Sequence, residues 1–237
     1  MTRRIALVDH TKQHPPPDGM LDAIAEALTI QVRRDFARAW PVAPTEVGVG
    51  GRGDEIHFFD SAHQASDYGW HIVDGQGLPY AHVFTSPSIA NGSGWTSGTD
   101  AISATASHEL LEMLADPAAN EYAVDAQERL WSREVCDAVQ ENVYRIVARG
   151  VRVPVSNFVF PAYFNPYAPA PYDHLGVLEK PFSLAPGGYG VYERETAEHD
   201  TYGRRLSVTF DDAVPEWRRR QKLDGWGRTY WRLKLGP

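Results

Sequence analysis

His108-Glu109-Leu110-Leu111-Glu112 places an imidazole and a carboxylate four residues apart. On an α-helix that spacing leaves them about 40° apart around the axis and roughly 6 Å apart along it, so both side chains reach one ion. Glu109 is turned by about 100° from His108, beside the ion instead of on it, where it would take a proton from water. The chemistry open to such a trio is metal-assisted hydrolysis. The bland alternative is an amphipathic helix whose glutamates are solvated and whose histidine caps or packs.

A helix from near Asp100 to about Ala115 must carry the motif. Asn91-Gly92-Ser93-Gly94 and Ser97-Gly98 form the loop before it, and Leu110, Leu111 and Leu114 give it an apolar face. Asp116 precedes Pro117, and the residue before proline avoids helical geometry. Asp116 would sit about 12 Å from His108 on a continuing helix, but the break at Pro117 frees it, which makes it a candidate metal ligand.

Ahead of this helix, Ile5 to Val8 is a short apolar run that predicts a buried first strand. Leu21, Ile24, Ala25, Leu28, Val32 and Phe36 then recur at helical spacing, predicting a helix from about Leu21 to Trp40 that Pro41 and Pro44 end. Thr45 to Val49, Glu55 to Asp60 and Tyr80 to Thr85 read as strands, separated by glycine-rich turns. Beyond Asn120 the chain reads as extended and irregular, with Val151 to Phe160 strand-like and a proline-rich, aromatic stretch from Pro161 to Pro186. Gly187, Gly188 and Gly190 mark a boundary. The expected organisation is one domain over 1–190 and a basic, Trp/Arg-rich extension over 191–237.

The motif resembles that of the zincin metallopeptidases, whose helix carries His-Glu-x-x-His with the glutamate as general base. Here Glu112 stands where those proteins have the second histidine. The resemblance covers the helix and its approach, and implies a zincin-like α+β fold: a small mixed sheet, two long helices of which the second holds the metal, and a largely irregular C-terminal part. It implies zinc-dependent peptide hydrolysis, with His108 and Glu112 as ligands and a third ligand from downstream. Glu134, 22 residues past Glu112 in Glu134-Val135-Cys136-Asp137, fills that role best, Asp116 is the rival, and Asp137 would orient His108. The strand around Tyr80 to Thr85 would be the edge that pairs with extended substrate. Tyr163 would be an oxyanion donor by analogy, or a packing residue.

A glutamate ligand adds negative charge, weakens the ion as a Lewis acid and brings harder ions such as manganese or calcium into range. The alternative function is a non-catalytic, zincin-like binding or structural protein that keeps a bound metal ion.

Composition narrows the remaining classes. The 237 residues are 43% hydrophobic, enough for a substantial core, and no stretch approaches the roughly 18 apolar residues of a membrane span. The N-terminus lacks a signal-peptide pattern, so a cytoplasmic location is expected. Cys136 is the single cysteine, which excludes an internal disulfide and reads as a small buried residue. Net charge is −8, with +5 on the segment from Arg204 onward. The acidic body argues against nucleic acid, while the basic tail offers a surface for a protein partner or an amphipathic closing element. His57, His63, His71 and His82 fall in or near strands and read as structural. Ser107 lacks the glycine-flanked elbow of a serine hydrolase.

Overall fold

The structure, a computed structural model, describes residues 2–62, 68–127, 129–194 and 209–210. The chain is α+β. Strand β1 (Arg3–Asp9) buries Ile5, Ala6 and Leu7 in succession, the signature of a strand covered on both faces. It lies between β2 (Thr45–Val49) and β3 (Asp54–Phe59), both parallel to it. Beyond β3 come β4 (Gly69–Val73) and β5 (Pro79–Phe84), giving the order β2-β1-β3-β5-β4 with β4 alone antiparallel.

The runs expected at Thr45, Glu55 and Tyr80 agree with β2, β3 and β5 to within a residue. β1 begins two residues before Ile5, and the run read from Val151 to Phe160 is strand only as far as Ser156. Tyr80 to Thr85 is not the edge: β5 is enclosed between β3 and β4, and β4 is the outer strand. The turn Asp74 to Gly77 folds β4 back on β5, with the Asp74 carboxylate accepting from the backbone N–H groups of Gln76 and Leu78.

Helix α1 (Met20–Ile30) buries Leu21, Ile24 and Leu28 along one stripe. It runs on through a wide turn over Gln31–Asp35 and a tight one over Phe36–Arg38, so the long helical segment expected up to Trp40 exists but changes pitch midway. Gln31 causes no conflict in the core because its amide donates to Ser156 O (2.9 Å) and accepts from Ser107 Oγ (2.7 Å). A short helix, α2 (Thr85–Ala90), follows β5 and was not anticipated.

Helix α3 (Ile102–Ala115) carries the motif and is buried over twelve of its fourteen residues. An all-round buried helix needs a partner for each polar side chain. Ser103 donates to Pro154 O at 2.8 Å, and Ser107 donates to Gln31 while accepting from Ser156 N at 2.9 Å. Those bonds dock α3 on a hairpin of β8 (Val143–Ala148) and β9 (Val151–Ser156), whose turn at Arg149-Gly150 has φ of 47° and 79°. Ile5, Leu7, Ile56, Phe58, Ala81 and Val83 face the helices from the sheet, while Val153 and Val155 enter the same core from the hairpin.

Two short strands, β6 (Tyr122–Val124) and β7 (Leu130–Ser132), precede this hairpin, so the region after Asn120 holds more regular structure than its sequence announces. Strand β10 (Tyr192–Arg194), just past the boundary placed at 190, pairs with β7. The Trp/Arg-rich stretch from Glu216 to Arg232 lies outside the described residues, as does His63. No described helix is long and apolar enough to cross a membrane.

Candidate metal centre

Register decides what enters the site from the sheet. His71 is paired with Ala81 and Gly69 with Val83, so both belong to the face of the sheet that carries the core, and β4 delivers them beside α3. An atom placed at the Cβ position of Gly69 would lie 2.8 Å from Glu109 Oε1, 2.9 Å from Thr105 Cγ2 and 3.0 Å from His82 O. The strand therefore approaches the motif more closely than any side chain at position 69 permits.

His71 sits under that approach. Its Nδ1 is 3.4 Å from Glu109 Oε2 and 3.5 Å from Glu112 Oε2, and its Nε2 is 4.0 Å from Glu134 Oε2. His71, expected from the sequence to be structural and to lack a matching carboxylate, is 5% exposed in the middle of the motif's carboxylates. His57 and His82, paired with each other across β3 and β5, lie on the opposite side of the sheet, in stacking range of Phe59 and Trp70.

His108 and Glu112 meet as their spacing requires, with Nε2 3.2 Å from Oε1. Asp137 Oδ1 is also 3.2 Å from His108 Nε2. The expected partnership of Asp137 with His108 is present, but it engages the nitrogen that faces Glu112 instead of the far side of the ring. Tyr189 donates its hydroxyl to Asp137, and the Tyr189 N–H donates to Asp137 O at 3.0 Å. Cys136 is fully buried, and its N–H donates to Glu112 Oε1 at 3.2 Å.

Two groups of side chains have donor atoms close enough to share an ion: His108, Glu112 and Cys136, and His71, Glu109 and Glu112. Glu112 belongs to both. Glu134 is buried at the edge of the second group, through His71. Asp116 is in neither: its Oδ2 accepts from Glu121 N at 2.7 Å, closing the turn after α3. Freed from the helix by Pro117, it was spent on that turn.

Tyr163 is buried and packs on Phe164 and Phe182. Burial, with the charge of Asp137, pushes its phenol up. Among the tyrosines it is Tyr189 that bonds Asp137 and lines the cleft.

Burial opposes the charged form of His71, but the carboxylates of Glu109 and Glu112 outweigh it and push the imidazole up to about 10. The same contest, won by Glu112 and Asp137, raises His108 well above its ordinary value. Burial alone would raise Glu112, yet His108 and His71 hold it well below the usual carboxylate range. Burial, reinforced by Glu112, pushes the Cys136 thiol up.

The centre opens into a cleft of about 460 Å³ lined by Gly69, His108, Glu109 and Tyr189, with Tyr68 and Asp100 also at its wall. Sequence reasoning missed His71, Tyr189, Gly69 and the proximity of Cys136. Of these only the β4 pair left a signal, in two strand-like runs flanking Asp74-Gly75-Gln76-Gly77. Compared with protein-family models, with curated proteins and with solved structures, the chain has no significant match.

Proposed function

We propose that the chain is a zincin-like, metal-dependent peptide hydrolase with its centre on α3. One observation carries this reading: His108, held 3.2 Å from the buried Glu112, lines an open cleft together with Glu109. His108 and Glu112 would hold a divalent cation, with the Glu134–Asp137 segment supplying the rest of the shell. The buried donor set of imidazole, carboxylate and thiol fits such an ion. Nitrogen and sulfur donors favour zinc, and the oxygens keep manganese and calcium as alternatives. When bound, the ion supplies Lewis acidity, polarising a carbonyl and lowering the pKa of water.

The chain's own residues do the rest. Glu109 Oε1, pressed toward Gly69 at the cleft, accepts the proton of the attacking water and returns it to the leaving amine. Asp137 Oδ1, 3.2 Å from the same His108 nitrogen, would join the donors around the ion, and Tyr189 holds Asp137 in place. As the outer strand of the sheet, β4 offers its backbone to an extended peptide as an added antiparallel strand.

The depth of the centre favours a second reading, since Glu109 and Glu112 are 3% and 2% exposed: a structural ion without turnover. Metal analysis of the purified protein, with Glu109→Gln assayed on a mixed peptide library, separates them. Bound metal with cleavage reduced at least ~100-fold in the variant supports hydrolysis. Bound metal with no cleavage by the native chain supports the structural ion, and a metal-free protein overturns both.

A further inference from the structure

We infer that the centre takes two divalent transition-metal ions, bridged by the two oxygens of Glu112; the inference rests on the metal-centre reading above and adds a second ion to it. Oε1 of Glu112 faces His108 Nε2 at 3.2 Å and the Cys136 N–H at 3.2 Å. Oε2 faces the other way, toward His71 Nδ1 at 3.5 Å, where Glu109 Oε2 also stands 3.4 Å from that nitrogen; Glu109 would ligate through Oε2 and keep Oε1, on the Gly69 side, for the proton of water. Each oxygen of Glu112 thus belongs to its own group of three donor residues: one completed by His108 and Cys136, the other by His71 and Glu109.

A carboxylate with one oxygen on each ion holds the pair at the roughly 3.5–4 Å separation of two-metal hydrolytic sites. The donors also differ in kind. The first group holds the thiol and is the softer; the second is an imidazole with two carboxylates, and Glu134 stands beyond His71.

Charge points the same way. His71, His108, Glu109, Glu112, Glu134 and Asp137 are all buried. An imidazole that ligates an ion is neutral. With the Cys136 thiolate the buried donors carry five negative charges; two divalent cations offset four of them and a single ion only two, and uncompensated buried negative charge is costly.

Metal stoichiometry tests the pair. The full chain is stripped with a chelator, reloaded with Zn²⁺ or Co²⁺, and measured by native mass spectrometry and elemental analysis. Two ions per chain are expected, falling to one in His71→Gln and to one in Cys136→Ser, with folding of each variant checked by circular dichroism. The Co²⁺ form should show a thiolate-to-cobalt charge-transfer band that Cys136→Ser abolishes and His71→Gln keeps. One ion in the native chain overturns the pair and leaves the single-ion centre standing; none overturns both. Two ions whose number neither variant changes would overturn the assignment of ligands.

Discussion

Gly69 and Glu109 are in direct opposition across the junction of β4 and α3: a Cβ on the glycine would stand 2.8 Å from the glutamate's Oε1. This contact joins the outer strand of the sheet to the residue assigned as base. Gly69→Ala should therefore displace Glu109 or lift β4, since Thr105 Cγ2 and His82 O close the remaining space. We expect a stability loss of ~1–3 kcal/mol from overpacking. Peptide cleavage should fall more than that loss explains, because the base moves with the strand. Urea unfolding alongside the peptide assay checks it; unchanged cleavage with normal stability would show that the strand does not constrain Glu109.

Ser107 tests a different part of α3, its attachment to the hairpin. Its hydroxyl donates to Gln31 Oε1 and accepts from Ser156 N, both inside the core. Ser107→Ala leaves both partners buried and lacking this bond, which should cost ~1–3 kcal/mol. For a chain of this size that lowers Tm by roughly 2–4 °C per kcal/mol. Calorimetry should register the drop while metal content stays at the native level.

Asp137→Asn keeps the shape of the side chain and removes its charge 3.2 Å from His108 Nε2. Metal affinity should weaken ~10–100-fold, measured by competition with a chromogenic chelator. Tyr189→Phe, which removes only the hydroxyl held by Asp137, should weaken it less. Equal affinities in Asp137→Asn and the native chain would detach Asp137 from the centre.

The opposite side of the sheet makes the fold sensitive to acid. Burial, with repulsion from His57 and His10, pushes His82 down to about 4 from an ordinary 6.5. Its folded-state pKa is depressed, so between those values the unfolded chain binds a proton that the folded chain refuses. The associated stability is fully present above pH 6.5 and is lost as pH falls toward about 4. The site is partly solvated, so the loss is set at ~1 kcal/mol after screening. In the metal-free chain His71, raised to about 10, behaves oppositely and contributes no loss over that range. Urea unfolding at several pH values, compared between the native chain and His82→Gln, should show a shallower acid decline in the variant.

What could be read from sequence follows from the range of the interactions involved. β1, β2, β3 and β5 announce themselves as short runs bounded by turns, and Leu21, Ile24 and Leu28 mark α1, because these signals depend on neighbours a few residues away. The same holds for the His108–Glu112 pair, one helical turn apart. β4 was harder, since its core-facing positions are Gly69 and His71, where a core-facing apolar pair would ordinarily stand. Tyr189 and Cys136 reach the centre from loops, where no periodicity exists to place them. Asp116 shows the converse: a residue correctly seen as released from its helix is claimed by the Glu121 backbone five residues on.

The loop at Tyr189 carries one more implication, for the order in which the protein acquires its chemistry. Its backbone N–H holds the Asp137 carbonyl and its hydroxyl holds the Asp137 carboxylate, 52 residues back along the chain. The centre therefore combines β4, α3, the Glu134–Asp137 segment and a loop near residue 189. During synthesis the motif helix emerges from the ribosome long before the residues that secure Asp137. Long-range closures of this kind form late, so a nascent chain ending before Gly187 would display the motif yet lack the clamp on its acid, and would hold metal less tightly than a chain extended past Tyr189.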